Sequence, residues 1–181
     1  PVPTVGTTLL AGVVHHTAST NSYTAEQAPA QMRNLYAYFT QSLNYADMGY
    51  NFLVDKYGTI YEGRSGCAVV AVGCDSATVP VQGAHTAGLN ANTFGVSAIG
   101  NYDVLAPENP GAMVESIASL MAWKLAPYGL DPNATTDNIT RNIFRALYES
   151  FLFVKSNCSP TIITNAITNS TFSLKSTENI F

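Results

Sequence analysis

The sequence predicts a single α/β domain, and three observations carry that expectation. Short apolar runs bounded by turn residues alternate with longer segments of three-four apolar spacing, in the order strand, helix, hairpin, strand, helix. The chain of 181 residues and 19.3 kDa is long enough to bury about two-thirds of the surface its unfolded form exposes. Its 46% hydrophobic and 11% charged residues exclude a disordered chain and a charged coiled coil, because an average soluble protein carries roughly 25% charged residues.

The first strand is expected over residues 9–16, an apolar run that ends in His15 and His16 and is followed by the polar turn 17–21. A helix follows over residues 26–43, with Ala28, Met32, Leu35, Tyr36, Phe39 and Leu43 on one buried face. Its start has two readings: a capping box of Thr24 with Gln27, or Pro29 as the first helical residue. Residues 50–55 and 59–64 read as a β-hairpin around Lys56, Tyr57 and Gly58. Residues 65–84 are rich in Gly, Ala and Val and are expected to form an irregular surface loop. Another strand is expected over 95–101, after the turn 90–92. Asn109 and Pro110 then cap a helix to about Ala126, with Met113, Val114, Ile117, Leu120 and Met121 on one face, and Pro127 and Gly129 stop it.

Residues 133–181 differ in kind. All 13 glycines lie at or before Gly129, no histidine follows His85, and Asn, Thr, Ser and Ile dominate the last stretch. A third helix is expected over 142–154. The Asn-x-Ser/Thr sequons at Asn133, Asn138, Asn157 and Asn169 follow from that composition.

Eight Lys and Arg against twelve Asp and Glu give a net charge of -4, so the attraction to phosphate that dominates nucleic-acid affinity is absent. No nucleic-acid partner is expected. The longest apolar run, residues 9–14, is far short of the roughly 18 residues a membrane helix needs, and no membrane span is expected. A surface of Ser, Thr, Asn, Gln and Tyr favours an extracellular location, and the start at Pro1 rather than Met leads us to expect that a leader, with or without an upstream domain, has been removed. Cys67, Cys74 and Cys158 form no Cys-x-x-Cys pair. Cys67 and Cys74 either close a small loop in an oxidising compartment or remain thiols; Cys158 is either a buried thiol or a candidate metal ligand.

Two histidines at a strand end, Tyr50 entering the next strand and His85 in the segment 83–86 are the parts of a polar cleft on a sheet. Adjacent strand side chains point to opposite faces, so only one of His15 and His16 faces a given site. Taken singly these residues have structural readings as well. Tyr50 would cover the core, Arg64 would pair with Glu62 or Asp55 across the hairpin, and His85 would support its own loop.

Five segments occur in a fixed order: Val13-Val14-His15-His16-Thr17-Ala18, Met48-Gly49-Tyr50-Asn51-Phe52-Leu53-Val54, Gly58-Thr59-Ile60-Tyr61-Glu62-Gly63-Arg64, Gly83-Ala84-His85-Thr86-Ala87-Gly88 and Gly95-Val96-Ser97-Ala98-Ile99-Gly100-Asn101. Together they resemble the type 2 N-acetylmuramoyl-L-alanine amidases and peptidoglycan recognition proteins, in the form found in secreted actinobacterial members. The resemblance implies a mixed central β-sheet flanked by helices, and zinc-dependent hydrolysis of the amide between the muramic acid lactyl group and L-alanine. It implies zinc (Zn2+) held by two His and one Cys, with water in the open fourth position. By position His15 matches the first metal ligand, and Tyr50 matches a tyrosine that stabilises the tetrahedral intermediate. His16, Thr17, Arg64, His85 and Asn90 fall where the family's groove meets glycan and stem peptide, so peptidoglycan is the expected partner and the protein is expected to be secreted or cell-wall associated.

The family's late Gly-His-Arg-Asp and Cys-Pro-Gly segments are absent, and Asn157-Cys158-Ser159-Pro160 only loosely echoes the second. The expected organisation is therefore a core over 1–132 and a divergent C-terminal segment of the same domain over 133–181. That segment is either authentic divergence or the product of a frame change. Two functions follow from the resemblance: a zinc amidase, or a non-catalytic peptidoglycan-binding module lacking the zinc site.

Overall fold

The computed structural model describes residues 4–64, 78–102 and 111–130. The three cysteines, most of the loop expected at 65–84, the capping residues Asn109 and Pro110 and the helix expected at 142–154 lie outside the described residues.

Four strands form one mixed sheet. β1 (Ala11–His16) and β2 (Phe52–Val54) each pair in parallel with β4 (Thr93–Ala98), and β3 (Ile60–Glu62) closes the hairpin antiparallel to β2, giving the order β1-β4-β2-β3. The strands are shorter than the apolar runs that announced them. Leu9 is buried before β1 begins, and Leu10 bonds through its N–H to the Asn92 carbonyl rather than to a strand partner.

Register assigns the side chains to two faces. Val14, Val96 and Phe52 are cross-strand neighbours, and with Phe94, Ala98 and Val54 they pack against Met113, Ile117, Leu120 and Leu125 of α2 (Gly111–Leu125). Leu53 and Tyr61 on the other face pack with Ala28 and Met32 of α1 (Ala28–Ala37). Helices therefore cover both sides, and burying Phe52 and Phe94 almost completely supplies about 1.5–3 kcal/mol for each ring.

The start of α1 combines both sequence readings. The Gln27 side-chain oxygen accepts from the Thr24 N–H at 2.9 Å over a preliminary turn, and the helix begins at Ala28 with Pro29 in its first turn. At its other end the helix passes into a π-helical turn over Tyr38–Ser42. Here the expected buried face needs correction, because Leu43 is exposed. The wider turn inserts a residue into the helical repeat and rotates Leu43 off the face that Met32 and Leu35 share. α2 ends as its sequence indicates. A short 3-10 turn over Ala126–Tyr128 follows, and Gly129 takes the left-handed conformation at φ 66°.

The hairpin turn is organised by Asp55. One of its oxygens accepts from the Tyr57 and Thr59 N–H groups at 2.9 Å each, and the other accepts from the Tyr61 hydroxyl at 2.9 Å. Gly58 stands at φ 87°, and a Cβ there would lie 2.8 Å from the Ala112 carbonyl oxygen, so the turn needs glycine both for its backbone angle and for its approach to α2.

Candidate functional site

The α1 face of the sheet is only partly covered by that helix. Over β1 and β4 it presents Val13, His15, Gly95 and Ser97, and the segment 83–90 folds across them, with Leu89 on Val13 and the His85 ring on Gly95. His15 and His85 meet there. His15 Nε2 lies 3.4 Å from His85 Nδ1 and 3.2 Å from Thr86 Oγ1, and the last two atoms are 2.9 Å apart. Tyr50 joins them, its ring centroid 5.4 Å from that of His15. The Tyr50 ring also meets Phe39 edge-on at 5.6 Å, so it both covers the second core cluster and borders the cleft.

His85 is placed by its backbone. Asn90 Oδ1 accepts from the N–H groups of His85 at 2.9 Å and Thr86 at 2.8 Å, a loop clamp within the segment. Fully buried Asn51 fixes the base of that segment: its amide donates to the Val81 carbonyl at 2.8 Å and its oxygen accepts from the Gly95 N–H at 2.9 Å. The Ala84 N–H donates to the Gly49 carbonyl at 2.7 Å. Two glycines leave room for the imidazole, because a Cβ on Gly95 would come within 2.4 Å of His85 Cγ and one on Gly83 within 2.6 Å of His85 Cδ2. Gly95→Ala is expected to push the His85 ring off the sheet and to cost about 1–3 kcal/mol of stability as an overpacked contact. Denaturant unfolding checks the cost, and loss of the His85 imidazole shifts characteristic of the wild type by NMR checks the displacement.

Electrostatics keep both imidazoles neutral near pH 7. Burial, with a smaller effect from His16, lowers the His15 pKa to about 4. Burial, then His15 and Arg64, lowers that of His85 to about 3. Burial raises the Tyr50 pKa against a smaller opposing effect of the Ser97 hydroxyl, so the phenol stays protonated and able to donate. His85 Nε2 is buried and makes no hydrogen bond among the described residues.

The other sequence candidates are placed differently. As strand alternation requires, His16 turns away from His15, and its Nδ1 accepts from the Tyr102 N–H at 2.9 Å. Thr17 Oγ1 accepts from the Gly100 N–H at 2.9 Å and lies 2.7 Å from Ser19 Oγ, tying the end of β1 to the end of β4. Arg64 donates to the Met48 carbonyl at 2.7 Å, so its guanidinium braces the turn before Tyr50, and its charge is felt at His85. Thr86 and Asn51 escape sequence reasoning. Thr86 sits beside a singled-out histidine, and Asn51 is a lone amide in an apolar strand entry, the one signal that pointed to it.

Zinc can be tested against these donors. A tetrahedral ion with Zn–N bonds of about 2.0–2.1 Å holds its nitrogens roughly 3.3–3.4 Å apart, and His15 Nε2 and His85 Nδ1 have that spacing. Among the described residues no three His, Cys, Asp or Glu side chains converge as a metal site. Two nitrogen ligands fit, and a third of those residue types does not come from the described part.

Comparison with known proteins bears on the family and the fold. The chain matches the Amidase_2 family, described as N-acetylmuramoyl-L-alanine amidase, over residues 6–149. It is 37% identical to peptidoglycan-recognition protein SC2 of Drosophila melanogaster over 91 residues, which is 50% of this chain and 42% of that protein. It is 31% identical to human peptidoglycan recognition protein 3 over 121 residues, 67% of this chain and 31% of that one. The chain thus spans less than half the length of either relative. Among solved structures it resembles the ectodomain complex of peptidoglycan recognition proteins LCa and LCx with bound tracheal cytotoxin, at TM-score 0.59 and 25% identity over 74% of this chain and 72% of that one. It also resembles bumblebee PGRP-SA, at TM-score 0.55 and 25% identity over 70% and 69%. With four-fifths of its length matched, a mixed sheet covered on both faces and a His-Tyr cleft on one of them, the chain belongs to the N-acetylmuramoyl-L-alanine amidase family, Amidase_2.

Proposed function

We propose that the chain binds peptidoglycan, glycan and stem peptide together, in the cleft formed by His15, Tyr50, His85 and Thr86, and that its reaction is hydrolysis of the lactyl–L-alanine amide. The observation that carries this reading is the convergence of two neutral imidazoles and a protonated phenol on one face of the sheet. Such a set donates to and accepts from amide and hydroxyl groups without carrying charge, which suits the glycan hydroxyls and the lactyl–L-alanine amide. Secretion or attachment at the cell wall follows from that substrate, and no helix among the described residues is long and apolar enough to cross a membrane.

By its position in the motif His15 would be the first zinc ligand, and zinc, if bound, would supply carbonyl polarisation and a water of lowered pKa. The chain's own residues do the rest. Tyr50, kept protonated by burial, donates its phenolic hydrogen to the oxygen that gains charge as the amide carbon becomes tetrahedral. Arg64 braces the Asp47–Met48 turn that leads into Tyr50, and Asn90 holds the backbone of His85 and Thr86. Thr17 and His16 tie the end of β1 to the segment that follows β4.

A second reading, a recognition module without hydrolysis, is favoured by the sequence, which carries no histidine after His85 and no Cys-Pro-Gly segment. One experiment separates the two. The full chain is sedimented with insoluble peptidoglycan, and soluble stem peptide is assayed with and without added zinc. Binding with zinc-dependent release supports the amidase, binding without release supports the module, and absence of binding overturns both. In the first case Tyr50→Phe is expected to lower kcat by about 10²–10³-fold, the loss seen when one oxyanion donor is removed, with wall binding retained.

A further inference from the structure

We propose that Ser97 is a positioning residue for Tyr50: its hydroxyl donates to the phenolic oxygen, which aims the phenol and leaves the Tyr50 hydrogen free for the substrate carbonyl. The inference rests on the reading of this cleft as a site of amide hydrolysis. Ser97 lies in the last of the five ordered segments, and the family resemblance gives it no role.

The sheet places this hydroxyl under the cleft. β4 is buried along its whole length, and after Thr93 its one polar side chain is Ser97, itself completely buried. In register Ser97 stands between His15 of β1 and Leu53 of β2, all three on the face that carries the cleft. Leu53 offers it no hydrogen bond, and His15 directs Nε2 at His85 and Thr86 instead. The Tyr50 ring borders both of these neighbours. Its centroid is 5.4 Å from that of His15, and it packs against the core cluster that contains Leu53.

A hydroxyl inside an apolar strand costs stability unless it has a partner, and alanine would fill the same place without that cost. The partner here is the Tyr50 phenol. The Ser97 hydroxyl acts on it by hydrogen bonding and offsets part of what burial does to its acidity. That is the sense expected of a donor to the phenolic oxygen, because such a bond favours the charge that oxygen gains as its hydrogen is drawn away. No closer hydrogen bond among the described residues occupies Ser97 Oγ, so the contact is a long one in the free protein, as hydrogen bonds of reactive sites often are before substrate tightens them. Phe39 holds the plane of the Tyr50 ring by its edge-on contact at 5.6 Å, and Ser97 holds the oxygen. Serine hydroxyl, phenol and substrate carbonyl then form a chain in which each hydrogen bond strengthens the next.

The test is a double-mutant cycle of Ser97→Ala and Tyr50→Phe in the full chain, read by urea unfolding and by release of stem peptide from insoluble peptidoglycan. Each substitution removes one oxygen atom and leaves the packing in place. In the wild-type background Ser97→Ala is expected to lower the urea midpoint. In Tyr50→Phe, where the serine hydroxyl has already lost its partner, the same substitution is expected to leave the midpoint unchanged or raise it. Catalysis should follow the same logic: Ser97→Ala lowers kcat by about 3–10-fold with KM unchanged, the worth of one hydrogen bond, has no further effect on kcat in Tyr50→Phe, and is largely rescued by Ser97→Thr, which keeps a hydroxyl. A midpoint change of the same sign and size in both backgrounds, or an equal kcat loss in both, overturns the inference and leaves Ser97 a buried strand residue. A midpoint loss confined to the wild-type background in a chain that releases no stem peptide supports the hold of Ser97 on Tyr50 and overturns the hydrolytic reading instead.

Discussion

Asn51→Leu is expected to destabilise the protein by about 2–6 kcal/mol, because it strands two buried backbone groups at once. Each unsatisfied group costs roughly 1–3 kcal/mol, and leucine, close in volume, neither donates to the Val81 carbonyl nor accepts from the Gly95 N–H. Asn51 is completely buried, so water cannot replace either bond without opening the fold. Its own backbone would hold its place. The Asn51 N–H still donates to the Gly95 carbonyl and its carbonyl still accepts from the Gly63 N–H, so the hairpin would stay joined to β4. The loss falls instead on the strap 81–85, which carries His85 to the sheet. We therefore expect weaker peptidoglycan sedimentation together with a lower denaturation midpoint. Urea unfolding of the variant decides the matter: a loss below about 1 kcal/mol would mean that the strap is held elsewhere.

Much of the fold was legible because the signals that specify it are local. The strand ending at His16, the hairpin around Gly58 and the helix closed by Pro127 and Gly129 each depend on apolar period and turn chemistry within a dozen residues. Leu43 was misplaced for a physical reason: a single inserted residue in a π-helical turn breaks the phase of the repeat, and no residue type announces it. For Arg64 the sequence left two readings, an ion pair across the hairpin and a place in the groove, and what neither announced is that its guanidinium reaches the carbonyls of the preceding turn.

The site was legible in part, and by a different route. Adjacent histidines on a strand and a third seventy residues later say little until five segments in order tie them together. What that ordering leaves out is the chemistry made by folding alone. Thr86 becomes a partner of His15 only when residues 83–90 cross β1 and β4, and Gly95 matters because another segment's ring lies on it. Gly83 and Gly95 read as turn or strand-end residues in sequence. In the folded chain both are clearance for one imidazole.

That imidazole and its partner predict the behaviour of the metal-free chain in mild acid. His15 and His85 titrate near 6.5 when unfolded but at about 4 and about 3 when folded, in both cases chiefly because burial penalises the charged form. Between pH 6.5 and those values the unfolded chain binds more protons than the folded one, so stability falls as pH is lowered from 6.5, and the loss levels off below the folded values. At pH 5 each histidine should contribute about 2 kcal/mol of destabilisation. Arg64 adds to the resistance to protonation at His85, and His16 adds to that at His15. The pH 7 to 5 window lies above the ordinary carboxylate range, so the change belongs to imidazoles. Roughly 4 kcal/mol in total lowers Tm by about 8–16 °C for a chain of this size. Thermal unfolding of the chelator-treated protein at pH 7 and pH 5 measures that drop, and His85→Gln, which has no titrating group at that position, should recover about half of it. An equal Tm at both pH values would mean that the cleft admits the charged imidazoles, and that water or an anion already reaches the space between His15 and His85.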